Sequence, residues 1–548
     1  MARPNGGDLL VALLRDHGVT RAFGVVSVHN LPLVEALDAA GMFVPVRHEA
    51  AAVNAADGYA RASGGLGVAV TSTGTGAGNA AGALIEALAA GSRVLHVTGQ
   101  IDSEYLGQGR GVIHETPDQA GMLRAVSAHA ATIRTPAAAG PALRDAAARA
   151  LTPPQGPVSV EWPIDLQYAA QAGAPATPVP PGRPAAPDPA ALDAAAELVR
   201  SARRPLVWAG GGARAAGPQL RELVERLGAP LLTSNAGRGA VPETHELVVG
   251  NYGTAPSARE LVIDADLLIG IGSHFRSNET AQFSLLLPAR SVQIDVDPRA
   301  IGRSYPATAG VVGDAAEVLT GLLDRTGDHT AEPGWADRAR ETRAAVRAAH
   351  RAAVAPYDVV CDAVRERLPA RSVIARDVTV PSSTWGNRLL PVLDPATNVF
   401  PLGGGIGQGL AMGLGAAEAR PDVPTLVMAG DGGLSVHLGE IATLAQQRPW
   451  LVLVVFNDGG YGVLRSMQEA TGSRRAGVDL YTPDFGTLAR SVGLEHRLVT
   501  DAPAFDEALA KALAEHAPSI VEVDLTAIGP MAVPFVPPVH VPDGGDDR

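Results

Sequence analysis

Short apolar runs alternate with amphipathic helical stretches along almost the whole chain. The clearest predicted strands are VPV at 44–46, GVAVTS at 67–72, RVLHVTG at 93–99, PLVWAG at 205–210, APLLTS at 229–234, DLLIGIG at 266–272, SVQIDVD at 291–297, SVIARD at 372–377, PTLVMAG at 424–430, WLVLVVFND at 450–458 and SIVEVDL at 519–525. Sequences such as AAAVNAADGYARA and GNAAGALIEALAA are predicted helices. Because the runs do not alternate apolar and polar positions, helices are expected to cover both sheet faces. The pattern predicts α/β domains with mainly parallel, doubly wound sheets.

Two breaks divide this pattern into three blocks. Residues 171–189 are rich in Pro and Ala and are expected to form an extended linker that cannot bury a core. A second connection is expected at 327–356, in Ala/Arg-rich helical sequence. The predicted units are an N-terminal domain at 1–170, a central domain at 190–326, a C-terminal domain at 357–530 and a Pro-rich tail at 531–548. For the tail, both an arm that covers a site and a disordered end are open.

The composition of the 548 residues fits a folded soluble protein and does not favour nucleic-acid or membrane partners. Apolar residues make up 46% and charged residues 18%, and the net charge is −13, from 44 basic and 57 acidic residues. This charge provides no basic surface for nucleic acid or anionic membranes. No apolar run reaches the roughly 18 residues of a membrane span, and the N-terminus lacks a signal pattern, so a cytoplasmic location is expected. The lone Cys361 excludes an intrachain disulfide and a Cys-rich metal site.

The strongest chemical motif is GDG at 430–432, followed by Asn457 and Asp458. One predicted strand leads into GDG and the next leads into Asn457, with a helix predicted between them over LSVHLGEIATLAQQ. Asp431 and Asp458 are therefore expected at the carboxyl ends of parallel strands, where α/β sheets bind ligands. Two oxygen ligands beside Gly residues, which permit close backbone approach, suit Mg²⁺ that holds a diphosphate. For GDG alone, the alternative is a tight turn with a helix-capping aspartate.

A second motif lies far upstream, in RHEAAAVNAADGYARASG at 47–64. It is a strand end followed by a helix of small residues, with one acid, Glu49, at the start of the helix. A Glu at a helix N-terminus is favoured by the helix dipole, and this is the alternative to a catalytic role. The coexistence of this acid with the GDG motif favours a catalytic role for Glu49.

With both motifs in place, the chain resembles the thiamine-diphosphate-dependent superfamily of 2-oxo-acid decarboxylases and acetolactate synthases over essentially its whole length. The resemblance implies thiamine diphosphate as cofactor, with Mg²⁺ bound by Asp431, Asp458 and the carbonyl of Gly460. Asp458 departs from the family, which commonly has Asn there, and so adds negative charge near the diphosphate. The resemblance also implies that Glu49 bonds N1′ of the aminopyrimidine in a dry pocket, driving the cofactor to the form that removes the thiazolium C2 proton.

Two Gly-rich segments match cofactor-binding segments of the family. TSTGTGAGNAAGAL at 71–84 matches the loop beside the pyrimidine, and as a dinucleotide fingerprint it lacks the acid expected about 20 residues on. GGGIGQGLAMGLGAAEA at 403–419 matches the segment in which a bulky residue, here Ile406, props the cofactor into a bent shape; this role is compatible with ordinary core packing. The resemblance implies cofactor contacts from Glu49, Ser72, Gly74, Asn79, Gly404, Ile406, Gly430, Gly432, Gly433, Tyr461 and Gly462.

Two histidines are candidates for proton transfer. His29 follows the predicted first strand, FGVVSV, and His114 lies in GVIHETPDQAGML, where synthases and lyases of the family often have Gln and pyruvate decarboxylases have His. Either imidazole can relay protons near neutral pH, and a structural or solvated role is the alternative for each. The two histidine positions of benzoylformate decarboxylases hold Ser72 and Asn278 here, which counts against a close member of that group.

The resemblance leaves the reaction open between two outcomes. The leading hypothesis is an acetolactate-synthase-type carboligase, which forms C–C bonds from a pyruvate-like 2-oxo acid donor through a decarboxylated enamine intermediate. The alternative is a non-ligating 2-oxo-acid decarboxylase or an aldehyde lyase, and intact Glu49 counts against a non-catalytic binding relative. The segment at 272–280 lacks the paired aspartates of a flavin-contacting segment, so FAD is not expected. In the family the site forms between subunits, which implies a homodimer or homotetramer.

Overall fold

The computed structural model describes residues 4–170 and 180–535. In this part of the chain, eighteen strands form three sheets of six, and all pairings within the sheets are parallel. Most central strands are buried throughout, which explains why their sequences are apolar without alternation. The predicted fold class, α/β with three doubly wound parallel-sheet domains, is confirmed.

The N-terminal sheet contains β1 (Ala22–Gly24), β2 (Phe43–Pro45), β3 (Gly67–Thr71), β4 (Val94–Gln100), β5 (His129–Thr132) and β6 (Val158–Pro163). Its helices are α1 (Gly6–Asp16), α2 (Leu31–Ala39), α3 (Glu49–Ser63), α4 (Thr75–Ala90), α5 (Gln119–Val126), α6 (Pro136–Leu151) and α7 (Ile164–Tyr168). The strands run in the order β2-β1-β3-β4-β6-β5. The order reverses between β1 and β3, so a crevice is expected at the carboxyl ends of these two strands.

The central sheet contains β7 (Pro205–Ala209), β8 (Leu231–Thr233), β9 (Val248–Gly250), β10 (Leu267–Ile271), β11 (Ser291–Asp295) and β12 (Ala309–Val312), in the order β12-β11-β10-β7-β8-β9. Its helices are α8 (Pro189–Arg200), α9 (Gly217–Leu227), α10 (Pro256–Asp264), α11 (Ala315–Thr326) and α12 (Trp335–Val354). Helix α12 lies within the predicted connection at 327–356. It packs back on the central domain, where Nε1 of the buried Trp335 donates to the carbonyl of Pro205 at 2.9 Å.

The C-terminal sheet contains β13 (Val373–Arg376), β14 (Asn398–Val399), β15 (Thr425–Gly430), β16 (Leu451–Asn457), β17 (Glu495–Val499) and β18 (Ser519–Asp524), in the order β14-β13-β15-β16-β18-β17. Its helices are α13 (Asp358–Arg367), α14 (Gly409–Ala419), α15 (Asp431–Val436), α16 (Glu440–Gln447), α17 (Gly462–Ala470), α18 (Phe485–Ser491), α19 (Ala504–Ala514) and α20 (Leu525–Ile528). The single helix predicted over LSVHLGEIATLAQQ is wrong at 437–439, where a turn separates α15 from α16. His437 in that turn donates from Nδ1 to the Gly407 carbonyl at 2.9 Å.

Helices α3 and α14 join the N-terminal and C-terminal domains by direct backbone contact. A Cβ on Gly58 of α3 would clash with the carbonyl oxygen of Met412, and a Cβ on Gly415 of α14 would clash with that of Ala55. The small residues of both helices therefore permit an approach that larger side chains would prevent. Because α3 begins at Glu49 and α14 follows the Ile406 segment, this contact sets the position of two predicted site segments.

Two predicted segments, the linker and the tail, fall partly outside the described residues. Of the linker at 171–189, residues 171–179 lie outside them, and 180–188 have no regular structure. Of the tail at 531–548, residues 536–548 lie outside them. Among the residues that the structure does describe, none of the helices is long and apolar enough to cross a membrane.

Candidate active site

Two aspartates meet at the carboxyl edge of the C-terminal sheet. Asp431 directly follows β15 and Asp458 directly follows β16, and these two strands are hydrogen-bonded neighbours. The Asp458 N–H donates to Oδ1 of Asp431 at 3.3 Å. A Cβ on Gly432 would clash with the carbonyl oxygen of Gly460, so that carbonyl lies against the GDG turn. The structure therefore brings together the three groups that the sequence predicts as metal ligands.

Hydrogen bonds to Asp377 hold the segment that contains Ile406 beside this edge. Asp377 is not part of any motif found in the sequence. Asp377 follows β13, which pairs with β15 where the strand order reverses. Its carboxylate accepts the N–H groups of Gly407 at 3.1 Å and Gly409 at 3.2 Å. Burial raises the pKa of Asp377 to about 6. The backbone of the segment is thus held, while the Ile406 side chain stays 38% exposed and can contact a ligand.

Glu49 is the first residue of α3, and the Gly-rich loop contacts its carboxylate. Oε2 of Glu49 accepts from Nδ2 of Asn79 at 3.0 Å. A Cβ on Gly76 would lie 2.9 Å from Oε1, so a side chain at that position would crowd the carboxylate. His48 caps α3 by accepting the Ala50 N–H on Nδ1 at 3.1 Å. Glu49 remains partly exposed, so one chain alone does not form the dry pocket that the resemblance implies.

A buried hydrogen-bond network holds the start of the Gly-rich loop. Oε1 of Gln119 accepts from the Gly74 N–H at 2.7 Å and from the Thr73 hydroxyl at 2.9 Å. Nε2 of Gln119 donates to Oε1 of the buried Glu161 at 3.0 Å. Neither residue is among the predicted site residues: Gln119 lies in the segment GVIHETPDQAGML, in which only His114 is a predicted site residue, and Glu161 lies in β6, outside every motif. They position the loop that carries Asn79 to Glu49.

Gly74 itself cannot be replaced without disturbing this loop. Its φ of +60° is in the left-handed region, and a Cβ would clash with the carbonyl oxygen of His114. We expect Gly74→Ala to destabilise the fold by about 2 kcal/mol and to lower its thermal unfolding midpoint. Gly78→Ala is the matched control, because Gly78 lies in α4 with open space around it, where Ala is favoured by about 1 kcal/mol. Equal midpoints for the two variants would contradict the close contact at Gly74.

His29 and His114 lie against each other on the same side of the N-terminal domain as this loop. Their Nδ1 atoms are 3.4 Å apart, and their ring centroids are 5.3 Å apart. His29 is buried, and burial, followed by the proximity of His114, lowers its pKa below 6.5. His114 has a φ of +66°, which is uncommon for a residue other than Gly and is typical of functional or strained sites. The two histidines that the sequence marks separately therefore form one pair.

Comparison with known proteins accounts for this arrangement. Family models for the thiamine pyrophosphate enzyme N-terminal TPP binding domain, central domain and C-terminal TPP binding domain match residues 4–122, 192–322 and 380–523. A probable 2-ketoarginine decarboxylase of Pseudomonas aeruginosa is 34% identical over 523 residues, which cover 94% of this chain and 93% of the relative. The chain belongs to the thiamine pyrophosphate enzyme family.

Acetolactate synthases are also similar to this thiamine pyrophosphate enzyme. The large subunit from Parasynechococcus marenigrum is 31% identical over 560 residues, which cover 97% of this chain and 89% of the relative. The acetolactate synthase isozyme 2 large subunit from Escherichia coli is 27% identical over 545 residues, which cover 97% of this chain and 98% of the relative. The relatives therefore include both a decarboxylase and synthases, and the cofactor named for both terminal domains is thiamine pyrophosphate, the compound called thiamine diphosphate above.

The aspartate pair of this thiamine pyrophosphate enzyme fits a divalent cation. Oδ2 of Asp431 is buried and has no hydrogen-bond partner. Burial raises the pKa of Asp431, and burial followed by the Asp431 charge raises the pKa of Asp458 to about 6. A cation would satisfy the unpaired oxygen and remove the repulsion between the carboxylates. Within 4–170 and 180–535, no set of three or more His, Cys, Asp or Glu side chains could hold a metal. The Gly460 carbonyl, which lies against Gly432, is a further oxygen that could contact a cation held by the two aspartates.

The remaining predicted cofactor contacts lie on the same two sheet edges. The Tyr461 N–H donates to the carbonyl of Val478 at 2.8 Å, and a Cβ on Gly462 would clash with Oδ2 of Asp458. A Cβ on Gly430 would lie 2.9 Å from the Thr379 hydroxyl oxygen. Gly433 lies beside Asp377, and Gly404 has a φ of +85° with open space around its Cα.

The two positions that hold histidines in benzoylformate decarboxylases lie in different surroundings here. Ser72 is buried, and its hydroxyl has no hydrogen-bond partner. Asn278 is exposed on a short turn of the central domain.

Proposed function

We propose that this chain is a Mg²⁺- and thiamine diphosphate-dependent decarboxylase that converts a 2-oxo acid to an aldehyde and CO₂. The observation that carries the proposal is the His29–His114 pair, which adjoins Gly74 in the loop that contacts Glu49. When bound, thiamine diphosphate supplies the nucleophilic thiazolium carbon and the electron sink for the loss of CO₂. The name of the relative from Pseudomonas aeruginosa supports the same outcome.

The proposed reaction gives the histidine pair and Glu49 separate tasks. When the carboxylate leaves as CO₂, a proton must replace it on the reacting carbon. One Nδ1 of the pair donates to the other, so the pair can take up one proton from solvent and deliver it to that carbon. Glu49, oriented by Asn79, would exchange a proton with N1′ of the aminopyrimidine. Asp431 and Asp458 would hold the cation that neutralises the diphosphate.

The pH dependence of turnover follows from His29. Burial, followed by the proximity of His114, lowers the pKa of His29, so this imidazole gains its proton only as the pH falls below the usual range for histidine. We expect kcat to decrease as the pH rises through the lowered pKa of His29, below about 6.5, and His29→Asn to flatten this limb and lower kcat about 100-fold. His17→Asn is the control, since burial also lowers the pKa of His17, in the turn after α1. An unchanged pH–rate profile in His29→Asn contradicts the assigned role.

A second copy of the chain is the partner that we propose for the open side of this site. Val26 and Val28 beside His29 are 55% and 60% exposed, and Ile113 beside His114 is 67% exposed. These apolar side chains, together with the partly exposed Glu49, would be covered in a homodimer or homotetramer that shares its sites between subunits. Light scattering of the holoenzyme tests this; a monomeric mass in a fully active sample contradicts it.

The second candidate function is a carboligase of the acetolactate synthase type, and the similarity to several acetolactate synthases favours it. A panel of 2-oxo acids, including pyruvate and one with a guanidino side chain, distinguishes the two functions. The holoenzyme is incubated with each acid, with and without an aldehyde or second 2-oxo acid as acceptor, and CO₂ and products are measured. A molar amount of aldehyde equal to that of CO₂ supports the decarboxylase. A ligated product as the main product supports the carboligase.

A further inference from the structure

Asp458 places a second carboxylate where the resemblance leads one to expect an amide. Its Oδ2 lies in a partly buried loop whose backbone N–H bonds Asp431. Two carboxylates at this position attract a metal ion, but they also repel the diphosphate that the metal must hold. A site with this composition needs a compensating positive charge.

Arg465, on the first turn of α17, supplies a positive charge at this place. Its Nη1 is 3.5 Å from Oδ2 of Asp458 and donates to the Asp458 carbonyl at 3.1 Å. Its Nη2 donates to the carbonyl of Gly459 at 3.3 Å. One guanidinium therefore contacts both the carboxylate and the backbone of the loop that offers Asp458 and Gly460. With Asp431, the two carboxylates and this one guanidinium leave a single formal negative charge.

The orientation of Arg465 is set before any ligand binds. Its Nε donates to Oδ1 of Asp479 at 2.9 Å, and the Arg465 side chain is only 16% exposed. The segment around Asp479 also pairs with the loop, since the Leu480 N–H donates to the Gly459 carbonyl at 2.9 Å. Asp479 itself is 59% exposed, so the less solvated partner of Arg465 is Asp458, at 22%. The buried end of the guanidinium is therefore directed at the metal loop.

We propose that Arg465 is a positioning residue for the cofactor diphosphate, whose positive charge offsets the negative charge that Asp458 adds to the metal site. Together, Asp458 and Arg465 carry no net charge, so the site would have the net charge of one that holds Asp431 and an asparagine at position 458. The role of Arg465 rests on the proposed metal site and does not depend on which substrate the enzyme takes. It also explains how an aspartate is tolerated at position 458.

A double-mutant cycle on cofactor binding tests this pairing. The dissociation constant of thiamine diphosphate at saturating Mg²⁺ is measured by calorimetry for wild type, Arg465→Gln, Asp458→Asn and the double variant. We expect Arg465→Gln to weaken binding about tenfold when Asp458 is present and less than about twofold when Asn replaces it. The coupling is then at least about fivefold, or about 1 kcal/mol. Equal losses in both backgrounds would overturn the proposal, because Arg465 would then act only on the backbone carbonyls.

Two further variants guard against an effect of misfolding. Arg465→Lys keeps the charge with fewer donors and is expected to bind the cofactor within about threefold of wild type. Arg475 is another arginine near Asp479, with its Nη1 4.0 Å from Oδ1 of Asp479. Arg475→Gln is expected to leave cofactor binding unchanged. The loss in Arg465→Gln should also shrink as salt concentration rises. A loss in Arg465→Lys as large as in Arg465→Gln overturns the charge argument. Cofactor binding without any 2-oxo acid turnover would refute the proposed function alone.

Discussion

Replacement of Glu49 by Gln is expected to lower turnover on the order of 10³-fold while thiamine diphosphate still binds. Gln keeps the size and one oxygen of the side chain, so the contact with Asn79 at 3.0 Å can persist. It cannot take up and release a proton, and the proposed exchange of a proton between Glu49 and N1′ is what would activate the cofactor. A 10³-fold loss corresponds to about 4 kcal/mol of activation free energy.

The measurement compares kcat and cofactor affinity in the same preparations. Glu35→Gln is the matched control, because Glu35 is an exposed acid on α2 of the same domain. We expect the control to be indistinguishable from wild type in both quantities. Near-normal turnover in Glu49→Gln would refute the catalytic role of Glu49, and a loss of cofactor binding equal to the loss of turnover would reduce that role to binding.

Replacement of Asp431 by Ala is expected to remove Mg²⁺-dependent cofactor binding without harming the ligand-free fold. Burial raises the pKa of Asp431, and its Oδ2 has no hydrogen-bond partner, so we expect removal of this buried charge to offset the loss of the long bond, 3.3 Å, that Oδ1 accepts from the Asp458 N–H. We expect cofactor affinity in Mg²⁺ to fall on the order of 100-fold. The stabilisation that the ligands provide should then fall by about 2.7 kcal/mol.

Thermal unfolding midpoints with and without Mg²⁺ and thiamine diphosphate check both parts of this expectation. Without ligands, Asp431→Ala should unfold at or above the wild-type midpoint, and with ligands it should show almost no shift. Asp458→Asn is the control, since the amide keeps an oxygen at that position and should retain most of the shift. A ligand-free midpoint well below wild type would mean that Asp431 is a structural residue rather than a metal ligand.

The sequence predicts the C-terminal half of the site well because its signal is local. Two apolar strands each end in an aspartate, and parallel strands bring their carboxyl ends to one edge, where Asp431 and Asp458 meet. Asp377 carries the same signal, since it ends the predicted strand SVIARD, and could have been found by the same rule. Its bonds to Gly407 and Gly409 depend on a turn whose path the apolar pattern does not specify.

Features that depend on contacts between distant segments could not be predicted. The His29–His114 contact joins positions 85 residues apart. The close backbone contact between Gly58 and Met412, which leaves no room for a Cβ on Gly58, joins two domains. The break between α15 and α16 likewise depends on the bond of His437 to a residue of another segment. Such contacts leave no periodic pattern in the sequence, because each is made by single residues.

The edge strands other than β2 are another part of the fold that the apolar runs do not mark. β5, β9, β12, β14 and β17 all lie at sheet edges. All five are short or partly exposed, so each offers at most a brief apolar run; β17, for example, reads EHRLV. Most central strands are predicted to within about two residues at each end, but β6 (Val158–Pro163) is not predicted, and the predicted first strand, FGVVSV, continues to Val28 whereas β1 ends at Gly24. Glu49 follows β2, an edge strand that the apolar pattern does predict, so the missed edge strands do not affect the predicted site.

We propose that Glu49 activates a cofactor that Asp431 and Asp458 hold in place. The most direct measurement is the rate at which the C2 proton of bound thiamine diphosphate exchanges with deuterated solvent, which requires no substrate. We predict that the wild-type holoenzyme exchanges this proton at least about 100-fold faster than Glu49→Gln at equal cofactor occupancy. Equal exchange rates in the two proteins would contradict the claim.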